Sequence, residues 1–562
     1  MNKLKTTLHN LGFIKIFLAV SLLAVGLFYE FLSCAASAAL CVYLIVTAKR
    51  NGGFVFRSSL GVITAIVISL FYGLSAFWAV DSGMAFIGFF KFLPVTLFAL
   101  AVTQPQKGKK DSMDYLDVLP MTAALMTIIS GILALIPPIS AVFAPSGRLA
   151  GFMMYSNTFA LVLLVSLIIT VSREELRVID LIYLVIFLLG ILFSGSRTVF
   201  ALTLLAVILL IIFHKNKGTK LTLLIVTALG IAAGVIYALI SGNFDTIGRF
   251  LTTSVGESTF VGRLLYFSDA LPIILKNPFG TGYLGFYYWQ QSIQTGLYSV
   301  RYVHNDLLQV MLDIGWIPAV LLIIAAVRAF FKKGAPLQKR LVLLVVTAHF
   351  MFDFDLQFIA LFFIYVLLLD CEKGKEHKLR GSSVPHKIPL FIAGIGAVYM
   401  MTSLVAAWVN GYSFSNALYP FNTDVNIGLL TEETDPVQMD KLADKIIDQN
   451  KYVTIAYSAK AAYAYSEGDF ANVIKYKDLA INNAPLVYEE YESYVIMLLT
   501  GYELYIRAND IQSAEYCRAK IKEVLRSLDS IENKLSTLGK KINDQPQTQL
   551  PQEILDYINY LQ

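Results

Sequence analysis

What most restricts this chain is a series of apolar runs that recur from residue 12 to residue 409. Most are close to the roughly 20 residues that a helix needs to cross a bilayer core. Lipid offers no partner to a backbone N–H or C=O, so such runs must form helices that satisfy their own hydrogen bonds. They fall near 12–29, 31–47, 60–79, 84–103, 118–140, 157–172, 179–195, 198–213, 221–240, 306–330, 341–352, 357–370 and 389–409. The expected fold is therefore an all-α polytopic membrane protein of roughly 12–13 transmembrane helices. Composition agrees: with 56% of 562 residues hydrophobic and only 15% charged, one large soluble protein is excluded. Lys3 and Lys5 precede the first run as in a secretory leader, but no small-residue cleavage site leads into a soluble domain, so the run is read as a retained span.

Charge sets the expected topology. Lys49, Arg50 and Arg57, then Lys107, Lys109 and Lys110, then Arg173 and Arg177, then Lys215, Lys217 and Lys220 occupy alternate loops. Lys332, Lys333, Lys339 and Arg340 fill another, and the segment from Glu372 to Lys387 a last one. The positive-inside rule makes these loops and the N-terminus cytoplasmic. An odd number of spans then puts the long 241–305 loop and everything after Asn410 on the outer face. The expected location is the cytoplasmic (inner) membrane, multi-pass, with an extracytoplasmic C-terminal domain. Cations in the outer loops run against this pattern, which makes Arg148, Arg197, Arg249, Arg263, Lys276 and Arg301 candidates for function. The net charge of +5 is spread over loops and implies no nucleic acid. Cys34, Cys41, Cys371 and Cys517 have no paired spacing, which supports neither disulfides nor zinc.

The domain division follows: 1–409 is the transmembrane domain and 410–562 a polar, helix-patterned domain. In the latter, Ala461, Gly468, Asp469, Phe470, Ala480 and Pro485 stand at offsets like those of a tetratricopeptide unit, although Ala464 replaces an aromatic residue. Asn509–Asp510 through Ala514 to Ala519 hints at a degenerate second unit; a plain helical bundle explains the same pattern. Either form offers a docking surface, for a partner enzyme or an acceptor.

Three motifs can carry chemistry. Ser194-Gly195-Ser196-Arg197 puts a guanidinium at the outer end of one span and the start of the next, where it suits a phosphate or anchors the helix by snorkelling. Gly262-Arg263 and Asn277-Pro278-Phe279-Gly280-Thr281-Gly282-Tyr283 lie in the long outer loop, whose turn formers imply a shaped segment. Val303-His304-Asn305-Asp306 leads into the next span. A neutral His304 imidazole can take a proton from an acceptor hydroxyl, or it can merely cap the helix start. Asn305 or Asp306 can likewise be an N-cap. Asp353-Phe354-Asp355 near His349 suits helix capping or arginine pairing better than a metal. Lys91, inside a span, requires a partner or a polar cavity.

The order Ser-Gly-Ser-Arg, Gly-Arg, Asn-Pro-x-Gly-x-Gly and His-Asn, with Gly315 nine residues beyond, resembles the O-antigen ligase and O-antigen polymerase superfamily. The resemblance covers about 140–370, with 241–305 as its catalytic loop. It extends to Arg148-Leu149-Ala150-Gly151-Phe152 and Asn157, similar to a motif near that family's acceptor cleft. Pro318 and Ala201 depart from the pattern and bear on the lipid acceptor rather than on the superfamily. What it implies is a GT-C-like membrane glycosyltransferase of cell-surface polysaccharide biosynthesis, metal-independent, inverting and without a cofactor. It implies an undecaprenyl-pyrophosphate-linked glycan as donor, a glycan, lipid or protein as acceptor, and Arg197, Arg263 and His304 as catalytic residues. Arg148, Asn157, Arg301, Asn305 and Asp306 are candidates for substrate binding. The alternatives are a transporter or flippase of lipid-linked glycans, a protein O-oligosaccharyltransferase, and a non-catalytic scaffold. A transporter should show two halves with matching broken helices, and no such internal match is seen.

Overall fold

The computed structural model describes residues 2–105, 111–173, 175–241, 258–380 and 387–560. Lys107, Lys109, Lys110 and Arg249 lie outside them. The protein is all-α, with one short two-stranded sheet among the described residues. Among the described residues Glu30–Arg50, Ser82–Thr103, Ser112–Leu133 and Ile388–Trp408 can each cross a membrane by length and composition, and seven shorter apolar helices accompany them. This is a membrane protein.

Burial sorts the helices into centre and rim. Ser156–Val171 and Ile359–Leu368 are buried along nearly their whole length. Ile388–Trp408 instead turns Phe391, Ile392, Ile395 and Val398 outward. A helix that is apolar all round belongs in a core or in lipid, and here both cases occur in one bundle.

Two apolar runs differ from expectation. The run 306–330 is not one span but two helices, Asp306–Ile314 and Trp316–Phe331, broken at Gly315, where φ is +86°. The first of these buries Asp306, Gln309 and Asp313 against the protein, with Tyr72 donating to Asp313 at 2.9 Å. The run 118–140 stops at Leu133 and resumes as the short helix Pro137–Phe143, because Pro137 and Pro138 cannot continue the N–H ladder.

The Asn277–Tyr283 segment is threaded against that break. Thr281 N–H donates to Leu312 O, Gly282 N–H to Asp313 O, and Trp316 N–H to Pro278 O, at 2.6–3.0 Å. Gly280 and Gly315 both have positive φ, and a Cβ on either would overlap the backbone of the other strand of the crossing. These glycines are there for close backbone approach.

Two of the cation-rich loops meet at one end of the bundle. Gly53–Ser58 pairs antiparallel with Lys375–Arg380, and Arg57 bridges Glu376 at 3.0 Å. At the other end the chain after Asn410 forms further helices, among them the hairpin of Thr454–Ser466 and Phe470–Asn483, capped by Asp469. Ala461, Phe470 and Ala480 are buried, and Asp510 caps Ile511–Asp529 in the same way. This region shares the bundle's core: Leu430, Ala443, Ile446 and Val453 join the main apolar cluster. Asp81, the N-cap of Ser82–Thr103, accepts from Thr423 at 2.5 Å and from Asn450 at 3.1 Å.

Candidate functional site

Helix Val178–Ser194 ends on Gly195, whose φ of +60° gives the left-handed C-terminal turn. That turn leaves the Ser194 carbonyl without a helical partner, and Arg148 Nε donates to it at 2.8 Å. Arg197 begins the next helix, Arg197–Phe213, three residues after this capped carbonyl. Arg148 also donates through Nη2 to Asn157 Oδ1 at 2.8 Å. The amide of Asn157 passes the chain on, donating to Asp353 Oδ2 at 2.8 Å.

Asp353 is the hub. It lies in the turn between helix Leu337–Phe350 and helix Ile359–Leu368 and is 1% exposed. Its Oδ1 accepts from the Tyr155 hydroxyl at 2.8 Å and faces His304 Nδ1 at 3.3 Å. Its Oδ2 accepts from Asn157 and, at 3.3 Å, from Arg263 Nη2. Burial by itself would raise this carboxyl, but the His304 hydrogen bond and the Arg263 charge override it and hold Asp353 well below the usual carboxylate range.

Arg263 reaches Asp353 from helix Ser258–Lys276, with its side chain 15% exposed. A guanidinium has five N–H donors, and among the described residues one hydrogen bond, that to Asp353, uses them, which leaves donors for an anion. His304 sits at φ +54°, a left-handed conformation uncommon outside glycine. Its ring is held edge-to-face on Phe354 at 4.9 Å, with Tyr266 at 6.2 Å on a neighbouring element. With Nδ1 turned to Asp353, Nε2 makes no hydrogen bond among the described residues, which is the geometry of a base oriented by a carboxylate.

Asn305 and Asp306 hold the hub's turn. Asn305 caps its helix by accepting from Leu308 N–H at 3.0 Å and donates to Met351 O at 2.9 Å. Asp306 accepts from Leu356 N–H at 2.8 Å. Asp355 points away from Asp353, to Thr158 at 2.8 Å and His349 at 2.5 Å. Adjacent carboxylates in an Asp-Phe-Asp thus serve two separate sets of partners.

Arg301 is placed elsewhere. It stacks over Tyr287 and bridges Glu30 at 3.5 Å and Asp424 at 3.6 Å. Glu30 also supplies the partner that Lys91 needs. Lys91 is fully buried, 3.7 Å from Glu30, and donates to Phe28 O, Tyr283 and Tyr302 at 3.1–3.2 Å. The hub role of Asp353, the phenol of Tyr155 and the pairing of Glu30 with Lys91 are what sequence reasoning missed. Only the Asp-Phe-Asp signal, read as capping or arginine pairing, pointed that way.

Residues 182–323 match the family model of the O-antigen ligases. The match takes in Ser194–Arg197, Arg263, Asn277–Tyr283, His304 and Gly315. Asp353, Arg148 and Asn157 lie outside the matched residues, and the fold carries them to it. No curated protein matches the chain.

Proposed function

We propose that the protein transfers glycan from an undecaprenyl-pyrophosphate donor to an acceptor at the outer face of the cytoplasmic membrane. The observation that carries this is the shared carboxylate: Asp353 holds Arg263 and the His304 imidazole within one hydrogen-bonded unit beside the ligase-domain motifs. As the anomeric C–O bond breaks, negative charge grows on the pyrophosphate, and Arg197 and Arg263 stabilise it as fixed cations. His304 Nε2 takes the acceptor's hydroxyl proton as the acceptor oxygen attacks the opposite face of the sugar, which inverts its configuration. Asp353 orients the ring and stabilises the imidazolium, the part played by a buried carboxylate behind a catalytic histidine.

The charge stabilisation is assigned to arginine rather than to a divalent cation. The test presents a lipid-linked glycan donor to the purified full-length chain, with and without chelator, and determines the anomer of the product. Turnover that survives chelation with inversion supports the mechanism. Activity abolished by chelator and restored by a divalent metal overturns it, as does a retained anomer.

A further inference from the structure

A cavity away from Asp353 lies between the helix Gly285–Ile293 and the helices that follow Asn410. It is a cleft of about 370 Å³, within the ~300–1,000 Å³ range of small-ligand sites. Its lining is unlike that of the arginine site. Tyr287, Tyr288 and Tyr452 line it with aromatic side chains, while Gln291, Asp424 and Glu490 supply oxygen acceptors and an amide donor.

The walls are held rather than loose. Trp289 stacks on Tyr452 with centroids 5.1 Å apart, Tyr288 donates to Asp424 at 2.5 Å, and Thr454 donates to Gln291 at 3.2 Å. Glu490 accepts from Ser458 and Lys477, and Asp424 is 41% exposed. A carboxylate has about four acceptor sites, so both keep capacity for a ligand. Arg301, paired to Asp424 and stacked over Tyr287, stands behind the rim and not in the lining.

Asp424 and Glu490 are already paired, to Arg301 and Lys477, and the lining holds no further cation for a phosphate, whereas aromatic rings beside hydroxyl acceptors match a pyranose, with its apolar C–H face and its hydroxyl edge. We propose that this cleft is a saccharide subsite for uncharged or amino-sugar residues of a glycan substrate. The assignment of that glycan as a substrate rests on the transferase reading above; the binding itself does not.

The test uses the full-length chain in lipid nanodiscs and reads intrinsic fluorescence, with Trp289→Phe identifying the signal of Trp289. The probe is the oligosaccharide released by mild acid from the host's own lipid-linked glycan, with inorganic pyrophosphate as control. Saturable quenching by the oligosaccharide and none by pyrophosphate is expected. Tyr287→Ala should weaken it about tenfold, the loss of one stacking face, while Tyr287→Phe, which keeps the ring, stays within about threefold of wild type. In the transfer assay Tyr287→Ala should raise one KM about tenfold at nearly unchanged kcat. Whether donor or acceptor is the substrate affected tells which glycan occupies the cleft. Absence of oligosaccharide binding overturns the proposal, as does equal binding by wild type and Tyr287→Ala, or a peptide that binds in the oligosaccharide's place. Binding with the expected variant effects in a protein that transfers nothing overturns the transferase reading and leaves the subsite standing.

Discussion

The two ends of the bundle each gather several side chains around one aspartate, and the two sets differ in kind. Asp370 receives Lys332 at 2.7 Å, Lys373 at 3.4 Å and the buried Lys339. All three are ammonium groups on flexible stems, supplied by residues near the ends of neighbouring helices. Asp353, at the far end of the same helices, receives a guanidinium, an imidazole, a phenol and an amide. Lysines around Asp370 neutralise a charge where helices terminate. At Asp353 the carboxylate instead fixes the orientation of planar groups; Asn157 and Tyr155 are spent on holding one another and Arg148, while His304 keeps Nε2 without a hydrogen bond among the described residues.

Breaking that contrast at its strongest point, His304→Ala should cut turnover by roughly 10²–10⁴-fold while donor binding persists, as loss of a general base does. Steady-state transfer and a donor-retention assay on the same preparation check it; full activity would remove His304 from the chemistry. Asp353→Asn keeps the shape but discards the charge behind His304 and Arg263. Loss of a hydrogen bond to a charged group, about 1.5–3 kcal/mol, should lower turnover roughly 10–10²-fold. Arg263→Lys retains charge without the fork and should lower turnover by about tenfold, or ~1.4 kcal/mol.

The pH response of Asp353 sharpens the comparison further. Its carboxyl is depressed in the folded state, so its contribution to stability is present above the unfolded value of about 3.9 and is lost only as pH falls through the lower folded value. Infrared difference spectra of wild type against Asp353→Asn should therefore show an ionised Asp353 from pH 7 down to about 4. A protonated band from Asp353 at pH 5 would contradict the arrangement. The smallest effect belongs to the other end: Lys332→Arg keeps a cation on Asp370 and should shift stability by no more than about 0.5 kcal/mol and leave turnover within about twofold. A loss there comparable to that of Arg263→Lys would erase the distinction between the two aspartates.

Much of the candidate site is legible along the chain. Arg197, Arg263 and His304 stand out because they lie in loops that the positive-inside pattern leaves poor in cations, and their order with the glycines carries the family resemblance. The glycines of Asn277–Tyr283 were read correctly as shaping the loop, and the crossing with Gly315 supplies the reason. Harder to read was which half of the run 306–330 faces lipid. Composition averages over Asp306, Gln309 and Asp313, and only their burial against Tyr72 and the 351–356 turn distinguishes the two helices.

Sequence by itself determined that this is an all-α membrane protein whose residues 182–323 match the O-antigen ligase family model, because apolar runs of bilayer length must be helical and because motif order survives in one dimension. Tertiary structure alone decided that Asp353 rather than Asp355 meets Arg263 and His304, and that Glu30 answers Lys91. It also decided that the helices after Asn410 close a cleft against the helix Gly285–Ile293. Each of these joins residues far apart in the chain, where spacing carries no information. Which carboxylate turns toward which cation depends on the backbone path of a turn, and that path is set by packing around it rather than by the residues themselves.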